Sequence, residues 1–168
     1  IQGSQNEFSC MNRPFYIGII AANLLLVLAV VNGAILKKQA VVESGERVVL
    51  KLAPVDPRSL MQGDYMILSY ALGRNEKFRN AATEARGRVY LKRNKKEVGT
   101  FANVEEGDVF LNYRKWRRGY RFGIESFFFQ EGMAEIYEDA KYAELRVGPN
   151  GDAVIIDLMD ENLNRLSD

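Results

Sequence analysis

Ser59, Ser69 and Ser126 carry hydroxyls that could act as nucleophiles, yet the 168 residues include no histidine to serve as their base. A serine–lysine pair is the form of nucleophilic catalysis left open, with Lys92 as a candidate lysine. Carboxylates offer a second route to hydrolysis, provided that Asp64, Glu125 and Glu131 gather in one cleft. Glu135 and Asp139 stand at helical spacing, and an exposed helix surface explains such a pair without any chemistry. The one cysteine, Cys10, precedes the globular part, which therefore has neither thiol chemistry nor an internal disulfide. No glycine loop for phosphate and no metal-ligand spacing is present, so the sequence points to no cofactor and no metal.

Charge is distributed unevenly. Arg47 to Arg121 holds 17 basic and 8 acidic residues, a net of +9, whereas Ile124 to Asp168 holds 3 basic and 11 acidic, a net of −8. The simplest reading is that the two halves neutralise each other once folded. The densest basic stretches are Arg86 to Lys96 and Arg114 to Arg121. Within the second, Arg114, Lys115, Trp116, Arg117 and Arg118 interleave cations with an aromatic ring, which suits an anionic surface such as lipid headgroups or an acidic partner. Single-stranded nucleic acid uses the same residue types, but the N-terminal segment argues against it.

That segment must position everything else. Pro14 to Leu36 is a run of 23 residues without a charge, bounded by Arg13 on one side and by Lys37 and Lys38 on the other. As a helix it would span roughly 34 Å, a little more than the hydrocarbon layer of a bilayer. We read it as a transmembrane signal-anchor. Residues 1–13 form its N-terminal flank, 14–36 the span, 37–47 a juxtamembrane linker that continues the helix as far as Ser44-Gly45, and 48–168 the soluble domain. Asn23 places an amide inside the apolar run, while Gly18 and Ala22 keep one surface small, a combination that suits contact with another transmembrane helix. The flanking charges, one before the span and two after it, weakly favour a cytoplasmic domain.

The soluble part reads as seven or eight short strands with tight turns and one helix near residues 133–142. Strands are expected at Arg47–Ala53, Tyr65–Leu72, Arg88–Arg93, Val109–Tyr113, Tyr120–Ile124 with Phe127–Phe129 as an apolar strand end, Ala143–Val147 and Ala153–Met159, and Thr100–Val104 is the optional eighth. Asn150-Gly151 marks a hairpin between the last two, with the polar tail extending it. The fold class is α+β: a single N-terminal transmembrane helix and then a β-rich, mostly antiparallel domain. A partly closed barrel is one way to arrange it.

Gly63-Asp64-Tyr65-Met66-Ile67-Leu68-Ser69-Tyr70 carries all five fixed residues of the signature after which the bacterial GDYxxLxY family is named. Tyr120 to Gly132 (YRFGIESFFFQEG) resembles a second characteristic segment of that family, followed by Tyr137-Glu138-x-Ala140 and Ala143 to Val147. The resemblance runs from about Val48 to Asp160, behind an anchor placed as in the family. It implies a small membrane-anchored protein of unassigned activity, encoded beside multi-pass membrane proteins, with its soluble domain in the periplasm of a bacterial inner membrane. The expected function is therefore a non-catalytic accessory or interaction subunit that packs against a multi-pass partner. An envelope hydrolase and a small-ligand or envelope-sensing domain are the alternatives, and the oligomeric state is left open.

Two sets of residues carry that expectation. Gly63, Asp64, Tyr65, Leu68 and Tyr70 are either turn-and-strand architecture or a ligand or partner site. Arg121, Glu125, Gln130 and Glu131 surround Phe127, Phe128 and Phe129, which makes that block the best candidate recognition surface.

Overall fold

The computed structural model describes residues 13–53, 65–117 and 119–167. Expectations placed on Cys10, Ser59, Gly63, Asp64 and Arg118 fall outside those residues.

Helix α1 runs from Arg13 to Ser44. Its stretch Tyr16–Ser44 is long and apolar enough to cross a membrane, and the large apolar side chains from Tyr16 to Leu36 are exposed along it. Gly45 ends the helix, donating its N–H to the Val41 carbonyl at 2.9 Å. A Cβ at position 45 would lie 2.2 Å from that same oxygen, so the stop needs a glycine. The chain divides into two compact units between Lys38 and Gln39. The last turn of α1 thus belongs to the second unit, and Glu46 and Arg47 lie in a strand.

The second unit contains three antiparallel sheets among the described residues. The first joins β1 (Glu46–Lys51), β8 (Tyr142–Val147) and β9 (Ala153–Met159) in the order β1-β8-β9. The second pairs β2 (Tyr65–Ile67) with β7 (Ser126–Phe128). The third is β4-β3-β5-β6, built from β3 (Arg86–Arg93), β4 (Gly99–Ala102), β5 (Val109–Trp116) and β6 (Gly119–Arg121). Two links curl the first and third sheets around one core. Val49 bridges Val98 in parallel fashion, its N–H donating to the Glu97 carbonyl at 2.9 Å. On the far side, Asn112 of β5 donates its N–H to the Gly151 carbonyl at 3.0 Å and its Nδ2 to the Asn150 carbonyl at 2.8 Å, in the β8–β9 turn. The result is a half-barrel-like curl rather than a flat sandwich.

Alternation decides which face is buried. Val89 and Leu91 of β3 and Val109, Leu111 and Tyr113 of β5 point into the core, together with Val48 and Leu50 of β1 and Leu145 of β8. At its centre sits Phe78, 1% exposed, delivered by helix α2 (Glu76–Ala81). Asn75 caps that helix by accepting the Phe78 N–H at 3.1 Å. The Phe78 ring meets Tyr120 at 4.7 Å, Tyr113 at 5.3 Å and Phe101 at 6.0 Å between centroids.

Three expectations are corrected here. The helix expected near 133–142 is the single turn α3 (Ala134–Tyr137), because Tyr142 is already paired into β8. Glu135 and Asp139 therefore do not share a helix face. The strand expected over Tyr65–Leu72 stops at Ile67, and Ala71–Arg74 forms a 3-10 turn. Finally, the tail does not prolong the β8–β9 hairpin. Asp160 accepts the Asn162 and Asn164 N–H groups at 2.8 Å each, the chain reverses, and Leu166 donates its N–H back to the Leu158 carbonyl at 3.0 Å.

Candidate functional site

The GDYxxLxY stretch and the segment after Tyr120 lie side by side. In the β2–β7 ladder Tyr65 faces Phe128, Met66 faces Phe127 and Ile67 faces Ser126. Just beyond it, Leu68 donates its N–H to the Glu125 carbonyl at 2.7 Å. Tyr70, 4% exposed, donates its hydroxyl to the Ile124 carbonyl at 2.6 Å. Burial, and secondarily the Glu125 carboxylate, holds the Tyr70 phenol well above its ordinary pKa, so it stays protonated and donating. Glu125 in turn accepts the N–H of Phe122 and, at 3.2 Å, that of Gly123, whose φ of +81° only glycine adopts freely. Leu68 and Tyr70 are thus spent on architecture, and Glu125 ties the turn that they pack against.

The aromatic block is divided by the pleat of β7. Phe127 and Phe129 turn inward onto Tyr137, with centroids 5.1 and 5.5 Å away. Phe128 points outward, 72% exposed, with the Tyr65 ring 5.6 Å from it. Gln130 and Glu131 are exposed beyond the strand. Among the described residues, the two clefts at Glu125 include neither Glu131 nor Lys92. Ser69 lines the smaller of the two, of about 240 Å³, while Ser126 is exposed in β7.

The basic run on β5 is divided in the same way. Arg114 and Trp116 lie on one face and Lys115 on the other, opposite Tyr120. Strand pairing then regroups the charges. Arg86 of β3 stands directly across from Arg114, and Arg114 from Arg121 of β6. These three arginines, with Arg88, line an open cleft of about 700 Å³ that Glu125 borders on the other side. Arg88 stacks over Phe110 at 4.7 Å and Arg121 over Trp116 at 5.0 Å. Sequence reasoning singled out Arg114 and Arg121 but missed Arg86 and Arg88 as their companions. Their two-residue spacing within a strand, which sets both on one face, was the available signal.

On α1, Gly18, Ala22 and Asn23 are all exposed. The two asparagines of that helix differ. Asn32 satisfies its amide by donating to the Leu28 carbonyl one turn back, at 2.8 Å, whereas the Asn23 side chain forms no hydrogen bond to any described residue.

The model of the family described as "GDYXXLXY protein" matches residues 27–158, from within the anchor helix to the end of β9. The chain belongs to that family. No curated protein and no solved structure matches it.

Within the GDYXXLXY domain, the Ala143-to-Val147 segment is β8, and it carries a charge that the sequence did not flag. Glu144 is fully buried in the centre of its sheet, between Val49 of β1 and Asp157 of β9. Arg165 reaches it from the returning tail at 2.9 and 3.0 Å, and Arg47 from β1 at 2.8 Å. Arg165 and then Arg47 hold the carboxyl well below its usual range, at about 2. Asp157 is satisfied by the Leu158 N–H at 2.7 Å and by the Ser167 hydroxyl. Both oxygens of each carboxylate are engaged within the domain, as in a structural clamp.

Proposed function

We propose that this protein is a non-catalytic accessory or interaction subunit of a bacterial membrane complex, held by one helix against a multi-pass integral partner, with its β-domain in the periplasm. The observation that carries this reading is the unbonded amide of Asn23 in the middle of an exposed apolar helix. In hydrocarbon such a group is costly until another helix supplies an acceptor or donor. Gly18 and Ala22, one turn apart, leave a separate strip of the same helix without bulk, where a second helix can come close. The burial of Leu68 and Tyr70 also supports it, since these signature positions build the domain instead of presenting reactive groups. The periplasmic placement rests on the family, against the weak pull of Arg13, Lys37 and Lys38.

The test is purification of the full-length protein from its native membrane in mild detergent, with mass spectrometry of what accompanies it. A multi-pass protein in stoichiometric amount, lost on Asn23→Leu, is the expected result. Recovery of the chain alone, under conditions that keep other membrane complexes intact, would overturn the proposal.

A further inference from the structure

We propose that the cleft bordered by β3, β5 and β6 is a binding site for a phosphate-bearing anion, held by Arg86, Arg88, Arg114 and Arg121. The register brings the first argument. Arg86, Arg114 and Arg121 form a cross-strand row, Arg86 opposite Arg114 and Arg114 opposite Arg121, and like charges directly opposite one another destabilise a sheet. No described carboxylate is paired with this row. Among the described residues none of the four arginines forms an ion pair, whereas described carboxylates neutralise Arg47, Arg93 and Arg165 elsewhere. Glu125, at the edge of the cleft, turns its carboxylate to the Phe122 and Gly123 N–H groups instead.

The residue type and the space bring the second. Guanidinium forks match the oxygens of a phosphate two at a time, where lysine would offer only a point charge. A cleft of about 700 Å³ falls in the range of small-ligand sites. Four such cations ask for more negative charge than one carboxylate supplies. A lipid phosphate and a soluble phosphate compound share the chemistry required. The proposal stands apart from the subunit reading, because the cleft is on the β-domain and the Asn23 contact is on α1.

The site has its own reporter. Trp116 is the only tryptophan of the chain, 46% exposed, with the Arg121 guanidinium 5.0 Å over its ring. An anion that draws Arg121 into the cleft will change the tryptophan emission. Full-length protein in neutral detergent is titrated with inorganic pyrophosphate at fixed ionic strength. The same protein is reconstituted in phosphatidylcholine vesicles with and without phosphatidylglycerol. A saturable response to pyrophosphate identifies a soluble ligand, a response to phosphatidylglycerol alone a headgroup, and either supports the site. The Arg86→Gln/Arg114→Gln double variant is expected to weaken the response at least roughly ten-fold. Lys95→Gln/Lys96→Gln removes the same charge from a turn elsewhere and is expected to leave it intact. No saturable response to either probe, or equal weakening in both double variants, would overturn the proposal.

Discussion

Two groups of arginines on one small domain are treated in opposite ways. Around Glu144, Arg47 and Arg165 converge on a fully buried carboxylate, and Arg47 also reaches Glu97. Along β3, β5 and β6, arginines are set face to face, and no described carboxylate forms an ion pair with them. The first arrangement is complete without any other molecule and contributes to folding. The second costs stability as it stands, and only an added anion makes it whole. Charge in this domain is therefore assigned by strand register and not by proximity in sequence, since Arg47, Glu144 and Arg165 come from three distant stretches. Within the first group Arg47–Glu144 joins the basic half of the sequence to the acidic half, while Arg165–Glu144 and Arg47–Glu97 each pair within one half.

The contrast can be broken most severely at its closed end. Glu144→Ala leaves two arginines facing a buried gap and should cost about 2–3 kcal/mol, softened because both arginines are partly solvated. Urea unfolding of the full chain in detergent, followed by Trp116 emission, gives the value, and a loss within error of zero would sink the clamp.

Acid probes the same group without mutation. The folded-state pKa of Glu144 is depressed from 4.5 to about 2, so its contribution is fully present above pH 4.5 and is lost as pH falls toward 2. The wild-type unfolding midpoint should drop across that window more than that of Glu144→Gln. Parallel curves for the two proteins would show that the clamp carries no such linkage.

An uncharged reference sharpens the comparison. Tyr70→Phe deletes the hydroxyl that meets the Ile124 carbonyl and leaves that acceptor buried, at a cost of about 1 kcal/mol by the same urea assay. From about pH 5 to 8, where the phenol is protonated in folded and unfolded chains alike, the loss is expected not to vary with pH.

The smallest effect has the opposite sign. Arg114→Gln removes a cation that faces others on both sides and should raise the melting temperature of the ligand-free protein by about 1 °C. Destabilisation instead would mean that Arg114 serves the fold, as Arg47 does.

Much of the fold was legible because its strands alternate cleanly. Arg86–Arg93 and Val109–Trp116 carry apolar residues at every second position over part of their length, Ala153–Met159 is an apolar run broken only by Asp157, and Asn150-Gly151 announced the turn into β9. Other elements misled for physical reasons. Met133, Ile136, Tyr137 and Ala140 have helical spacing, but Tyr137 is buried from a single turn against Phe127 and Phe129, and the β8 ladder claims the chain soon after. Phe78 was invisible to periodicity because α2 contributes one buried side chain; the Asn75-Glu76 start was its only local sign. The arginine cleft could be half read, through Arg114 and Arg121. Its other members depended on which strand pairs with which, and a sequence fixes that only through the fold. The signature motif had to be read as either site or scaffold, and the hydrogen bonds of Leu68 and Tyr70 favour scaffold for the part described.

The turn that joins β8 to β9 has a consequence for how the molecule ages. An asparagine followed by glycine is the peptide step most prone to spontaneous deamidation, because the glycine nitrogen can swing round and attack the asparagine side chain. Here the Gly151 nitrogen is held on the Gly148 carbonyl at 2.9 Å, and the Asn150 carbonyl is held by Asn112 at 2.8 Å. Both ends of the vulnerable peptide are pinned, so the contact that closes the curl also slows the chemical clock at its weakest bond.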